Sequence, residues 1–292
     1  MKHRSGFVNI IGHPNVGKST LMNLLVGERL SIITDKSQTT RHRIMGIVNG
    51  ENYQIVYSDT PGIIDPAYKL QEGMMKFVKE ALEDADLFLL MLECGQKNFA
   101  DETLRSFLQS TEVPVIVLIN KIDLSEQDKL EAQIEHWATI FPNSEIIPIS
   151  ALHNFQIDLL KERIVELLPE CPPYYPKDTL TDKSERFFVE EKIREKILMH
   201  FQQEIPYSAE VVVEEFKEEE EIIRIAAIIY VARDSQKGIM IGKGGRKLKG
   251  IGKSARQDLE VFFEKKIYLN LFVKVNKDWR NDEKQLKRFG YL

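Results

Sequence analysis

The run Gly12-His13-Pro14-Asn15-Val16-Gly17-Lys18-Ser19 restricts the fold of this chain more than any other, because it joins an apolar stretch, Phe7 to Ile11, to an amphipathic one, Thr20 to Val26. It fits G-x-x-x-x-G-K-[ST] at every fixed position. Glycines at both ends let the backbone turn sharply from strand to helix, which leaves a row of unpaired N–H groups at the helix start. Such a turn suits phosphate: the backbone dipoles converge on its oxygens, Lys18 adds a point charge and the Ser19 hydroxyl can reach Mg²⁺. The surrounding pattern sets the class. Strands expected at Phe7–Ile11, Tyr53–Ser58, Leu87–Leu92, Val113–Ile119 and Glu145–Ile149 alternate with helical stretches, the last at Ile157–Leu168. The first part of the chain is therefore expected to be α/β, a mostly parallel sheet with helices on both faces.

Three further stations fall at the ends of those strands. Asn120-Lys121-Ile122-Asp123 follows the fourth. A carboxylate there accepts two hydrogen bonds from the N1–H and N2 amino group of guanine, whereas adenine presents an acceptor at N1 and would leave it unpaired. Asn120 would tie neighbouring loops together, and the Lys121 stem would lie along the base. Asp59-Thr60-Pro61-Gly62 closes the second strand, where Asp59 can hold Mg²⁺ through water and the Gly62 N–H can meet a γ-phosphate. Ser150-Ala151 would support the guanine edge with a backbone N–H. The segment Leu30 to Arg43, with Thr34, Ser37, Thr39 and Thr40, is polar and lacks a helical stripe, so ligand rather than core packing would order it.

The stretch Pro169 to Pro176 breaks every regular pattern, as a linker does. Beyond it the expected order is a helix over Lys183–Gln203, strands over Ala209–Phe216 and Ile222–Val231, a helix over Arg246–Lys265 and a strand over Ile267–Val275, an α+β pattern. Between the second strand and the long helix lies Gly238-Ile239-Met240-Ile241-Gly242-Lys243-Gly244-Gly245, followed by Arg246 and Lys247. Its Gly242-x-x-Gly245 resembles the GxxG loop of a type II KH domain, which clamps a single-stranded nucleic acid backbone. Ile239 and Ile241 are expected to line the groove, with Lys243, Arg246 and Lys247 supplying charge. From Tyr230 to Leu292 the chain carries 16 Lys and Arg against 7 Asp and Glu, a local +9 in a chain of net −5. A polyanion partner for this end follows.

Bulk properties exclude other classes. With 292 residues, 43% hydrophobic and 29% charged, the chain is long enough for two ordinary domains. Two cysteines far apart match no metal or disulfide framework, and no signal sequence or spanning run is legible, so a cytoplasmic location is expected.

The order of stations resembles the translation-factor-related GTPase superfamily over residues 5 to 170. Gln38-Thr39-Thr40-Arg41-His42 and the GxxG region are similar to its Era-type branch, bacterial GTPases with a C-terminal KH domain. The resemblance implies a GTPase domain at 1–170, a linker at 171–181, a KH domain at 182–277 and a basic tail at 278–292. It implies a monomer that binds GTP and GDP at residues 12–20, 59–62, 120, 121, 123, 150 and 151, Thr20 included. Lys18, Thr40 and Gly62 would act in hydrolysis, and Ser19, Thr40 and, through water, Asp59 would hold Mg²⁺. Ile63 stands where Ras-like proteins place a water-orienting glutamine, so slow intrinsic hydrolysis is expected. In related GTPases with asparagine at the position of Asn15 a K⁺ ion compensates; Thr34 would be its further ligand here. The resemblance also implies binding near the 3′ end of small-subunit ribosomal RNA and a role in assembly of that subunit. The competing reading is a GTP-regulated cell-cycle switch whose basic end contacts anionic lipid on the inner face of the cell membrane.

Overall fold

In a computed structural model, which describes residues 2–99 and 101–292, the first apolar run becomes β1 (Arg4–Gly12), third of six strands in one sheet. The others are β2 (Ile44–Asn49), β3 (Tyr53–Asp59), β4 (Leu87–Glu93), β5 (Val115–Asn120) and β6 (Glu145–Pro148), in the order β2-β3-β1-β4-β5-β6. All neighbours are parallel except β2 and β3. Residues 87–92 of β4 are all buried, so this central strand reads as a continuous apolar run instead of an alternating one. Around the sheet lie α1 (Lys18–Val26), α2 (Lys69–Glu83), α3 (Glu102–Ser110), α4 (Gln127–Ile140) and α5 (Ile157–Leu167). The Asp101 side chain caps α3 by accepting the Leu104 N–H. Gly27, at φ 83°, ends α1 in a conformation that glycine adopts without strain.

Strand β2 was not among the expected strands. It is a short edge element and Gly46 sits in its middle, which weakens a strand signal. Its free edge is covered by residues 177–182, just beyond the proline-rich stretch. The Ile47 N–H donates to the Leu180 carbonyl at 2.8 Å, and Thr181 Oγ1 donates to the Met45 carbonyl at 2.6 Å. Gln54 Oε1 accepts the N–H groups of both Tyr174 and Tyr175. Residues expected to form a linker thus close the sheet edge.

The chain divides into two compact units. The first comprises Met1–Ser31, Thr40–Asp65 and Met74–Asp182, and the second Ile32–Thr39, Pro66–Gly73 and Lys183–Leu292. The second contains α6 (Glu185–His200), α7 (Ile205–Ser208), β7 (Glu210–Glu218), β8 (Ile222–Val231), α8 (Asp234–Ile241), α9 (Arg246–Phe263), β9 (Lys266–Val275) and α10 (Glu283–Arg288). Its sheet runs β7-β8-β9, with β7 antiparallel and β9 parallel to β8. Ile193 and Ile197 of α6 and Ile251, Ala255 and Leu259 of α9 share one core with Ile223, Ile225 and Ile267. The first helix is shorter than expected, because Ser184 caps it by accepting the Phe187 N–H and it stops at His200. The long helix stops at Phe263, where Glu264 turns to φ 53°.

Short α7 and α10 carry too few residues for a periodic signal and were not foreseen. The tail is folded. Trp279 is fully buried and its Nε1–H donates to the Ser208 carbonyl, while the Tyr291 hydroxyl donates to Glu210 at 2.9 Å. Segments 32–39 and 66–73 are held in the same unit. Arg194, ion-paired with Glu191 at 2.6 Å, donates to the carbonyls of Gln38 and Thr39. Arg280 accepts the Leu70 N–H on its carbonyl and lies 4.8 Å over the Tyr68 ring.

Candidate nucleotide site and nucleic-acid interface

The phosphate loop lies between β1 and α1 in the first unit. Gly17 takes φ 104° and Asn15 φ 65°, so the loop turns through the left-handed region before the helix begins. A Cβ on Gly17 would run into the Asn120 side-chain amide, and one on Gly62 would come within 2.7 Å of Pro14. Both glycines therefore permit close approach of the backbone strands that line the loop. Lys18 is buried and its Nζ donates to the carbonyls of Gly12 and His13 at 3.0 and 2.9 Å. Burial, partly offset by Asp59, pulls its ammonium down to about 8. The two carbonyls hold the ammonium at the loop.

Beside it three oxygens converge. Ser19 Oγ lies 2.7 Å from Asp59 Oδ2 and 2.9 Å from Thr40 Oγ1, and Thr40 Oγ1 lies 3.3 Å from the same carboxylate oxygen. Asp59 is fully buried and its other oxygen, Oδ1, has no hydrogen-bond partner among the described residues. Burial pushes this carboxyl above its ordinary value, against the Ser19 hydrogen bond and the Lys18 charge. A buried carboxylate with an unused oxygen, beside two hydroxyls, is a donor set for a hard cation, so these residues fit Mg²⁺. Ile63 is buried in the apolar cluster with Phe88, Leu90 and Phe99, and its N–H donates to the Gly12 carbonyl. It fixes the turn after Gly62 and offers water nothing.

Asn120 ties the site together. Its Nδ2 donates to the Val16 carbonyl at 2.8 Å and its Oδ1 accepts the Ala151 N–H at 2.9 Å, linking the phosphate loop to the loop after β6. The Ala151 N–H, expected at the guanine edge, is thus directed at Asn120. The Asp123 side chain is 24% exposed; the Ser150 hydroxyl donates to its carboxylate at 2.6 Å and holds it below its ordinary range. Lys121, at φ 65°, pairs with Glu93 at 3.0 Å. Thr60 and Pro61 are buried, with Thr60 Oγ1 donating to the Ile10 carbonyl. Thr34 belongs to the second unit, where its hydroxyl meets Thr39 Oγ1 at 2.6 Å and the Lys36 N–H at 3.2 Å.

In the second unit Gly242, Gly244 and Gly245 take φ of 70°, 61° and 75°, a loop that side chains would strain. No atom lies within 4 Å of where a Cβ would stand on Gly244 or Gly245, so the loop faces open space. Lys247 folds back beneath Gly242, 5.3 Å from the Phe201 ring. A groove of about 530 Å³ runs from Gly245 along α9 to β9, lined by Leu248, Lys249, Gly252, Lys253, Arg256 and residues 269–271. Ile239 and Ile241 do not line it: Ile239 is exposed and Ile241 packs on the core. The groove's apolar wall comes from Leu248, Leu269 and Leu271. Alternation along β9 was the available signal.

Comparison with known proteins agrees with this arrangement. A family model described as a 50S ribosome-binding GTPase matches residues 7–121, and one described as a KH domain matches residues 204–280. GTPase Era of Staphylococcus haemolyticus is 45% identical, covering 100% of this chain and 98% of that protein. GTPase Era of Alkaliphilus metalliredigens is 46% identical with full coverage of both. Among solved structures, Era in complex with MgGDPNP and nucleotides 1506–1542 of 16S ribosomal RNA superposes with TM-score 0.95 at 40% identity, over 99% of each chain. A variant of Aquifex aeolicus Era bound to GDP and aluminium fluoride gives 0.94 at the same identity and coverage.

Proposed function

The chain belongs to the Era family of GTPases, and from that premise we propose that it is a GTP-hydrolysing switch that binds small-subunit ribosomal RNA near its 3′ end during assembly of that subunit. The observation that carries this is the pairing, in one chain, of a phosphate loop tied through Asn120 to the loop after β6 with an open GxxG loop and groove. Full-length likeness to a relative solved with both a GTP analogue and 16S RNA supports joining them.

Asp123 would select guanine, the backbone N–H groups of residues 14–19 would hold the phosphates, and Lys18 would exchange its two carbonyl partners for phosphate oxygens. Ser19, Thr40 and, through water, Asp59 would hold Mg²⁺, which supplies charge neutralisation at the phosphate oxygens. The Gly62 N–H would orient the γ-phosphate. With Ile63 unable to position water, intrinsic hydrolysis is slow. Potassium held by the Asn15 side chain is the narrower part of the proposal; Thr34, already engaged by Thr39 and Lys36, is the weaker ligand. Hydrolysis compared in KCl and NaCl, with Asn15→Ala alongside, tests it.

Segments 32–39 and 66–73 adjoin Thr40 and the turn after Gly62 in sequence yet fold with the second unit. Nucleotide would therefore act on the RNA-binding half through them. The cytoplasm is the expected location; no helix among the described residues is long and apolar enough to cross a membrane. The test is crosslinking and sequencing of bound RNA from cell extract with GDPNP or GDP. Enrichment of the 16S 3′ end that depends on nucleotide is the expected result, and equal recovery in both states would sink the switch reading.

A further inference from the structure

Strand β9 is the free edge of the β7-β8-β9 sheet, and its residues alternate between two faces. Toward the helices, Leu269 and Leu271 form the wall of the groove beside α9, which Asn270 between them also lines. On the other face stand Lys266, Tyr268, Asn270, Phe272 and Lys274, all exposed, with Tyr268 and Phe272 each 50% accessible. This strip reads cation, aromatic, amide, aromatic, cation, and it contains no carboxylate. Both helices that share the core, α6 and α9, pack on the opposite face. The tail covers the far end, where Phe289 and Arg288 meet Tyr230, and Ile228, opposite Phe272, is buried. Across the ladder Tyr268 neighbours Arg224, whose guanidinium lies 5.6 Å over its ring, and Asn270 neighbours the small Ala226. The nearby carboxylates Glu215 and Glu219 are paired with Lys217 and Arg224.

We propose that this outward face of β9 is a second single-stranded RNA contact, taking nucleotides that flank those in the GxxG groove by stacking on Tyr268 and Phe272. The proposal rests on the RNA-binding reading above and deepens it. Continuity argues for RNA as the occupant, because one strand supplies the groove wall on one side and the aromatic strip on the other. Length argues the same way: a GxxG loop clamps about four nucleotides, whereas the RNA solved with a relative spans nucleotides 1506–1542. Two rings four residues apart on a strand stand about 13 Å from each other, with Asn270 between them to hydrogen-bond an intervening base. Stacking tolerates any base, and Lys266 and Lys274 would follow the phosphates at either end.

The test uses the full chain with GDPNP and Mg²⁺, and RNA of nucleotides 1506–1542 together with nested fragments of it cut to about five nucleotides. Tyr268→Ala/Phe272→Ala is expected to weaken the long RNA about tenfold or more per stacked ring, to leave the shortest fragment that the wild type still binds unchanged, and to preserve the unfolding midpoint. Tyr268→Phe should retain affinity, and Lys266→Glu/Lys274→Glu should lower both long-RNA affinity and its salt dependence. Equal affinity of wild type and double-alanine variant for the long RNA would overturn the proposal. So would an equal loss on the five-nucleotide fragment, or an effect confined to self-association or to vesicles of anionic phospholipid. If the wild type binds none of these RNAs, the RNA-binding reading itself fails, which is a distinguishable outcome.

Discussion

Replacing Arg194 with methionine separates the stability of the second unit from the placement of Thr40. The Arg194 side chain is 1% exposed and that of Glu191 is 7% exposed. Burial opposes the guanidinium charge, yet Glu191 more than offsets it and drives the group further toward the charged form. Arg194→Met leaves Glu191 buried and uncompensated, which costs about 3–5 kcal/mol. The carbonyls of Gln38 and Thr39 lose their donor as well, at about 1–3 kcal/mol each where water cannot replace it. With a urea slope of about 2 kcal/mol per M, the unfolding midpoint should fall by roughly 2 M or more. The double variant Glu191→Leu/Arg194→Met removes both charges and should recover most of the ion-pair loss. It does not restore the two carbonyl contacts. Thr40 follows Thr39 directly, so the double variant should still need about tenfold more Mg²⁺ for half-maximal single-turnover GTP hydrolysis, equivalent to about 1.4 kcal/mol. Recovered stability together with wild-type Mg²⁺ dependence would refute the idea that Arg194 positions Thr40.

Other outcomes follow from the nucleotide site. Because burial lowers Lys18 to about 8, a fraction of the free protein is deprotonated there at pH 8, and a triphosphate should restore the proton; calorimetry in two buffers of different ionisation enthalpy should show proton uptake at pH 8 that fades toward pH 6.5. Asp59→Asn removes a buried carboxyl whose ionisation burial already disfavours, so the nucleotide-free protein should melt higher at neutral pH while Mg²⁺-dependent hydrolysis is lost. For wild type the same upward shift means that stability contributed by protonated Asp59 is present at low pH and declines as pH rises through the folded value. Asn120→Ala cuts the Val16 and Ala151 bonds at once and should weaken GDP and GTP alike by tenfold or more, without altering preference for guanine over adenine in competition binding.

The sheet and the tight turn of the loop between β1 and α1 were legible because each rests on local chemistry: an apolar run buried on both faces and glycine at a sharp turn. Long-range relations were not. Nothing in Ile44 to Asn49 announces an edge strand whose outer side is met by residues near 180. The proline-rich stretch reads as a spacer because prolines break helices, and nothing in it announces that the residues just after it cover an edge. In the RNA-binding half, Gly242 to Gly245 were evident, whereas the cavity along α9 walled by Leu248, Leu269 and Leu271 was not. Leu248 comes from α9 and the other two from β9, so the wall is assembled in space from elements separate in sequence. The tail carried a signal that charge counting concealed: Trp279, Leu286 and Tyr291 are buried among exposed lysines and acids.

Arg194 and the carbonyls it holds at Gln38 and Thr39 lie 156 and 155 positions apart. Segments 32–39 and 66–73 are therefore held by α6 and the tail although they are inserted in sequence between elements of the first unit. A substitution at Gln38 that alters the loop should be repaired by changes at 191 or 194 sooner than by changes within the sheet. For the same reason, a graft that transplants residues 1–182 into another protein carries these two segments without the helix and tail they fold with.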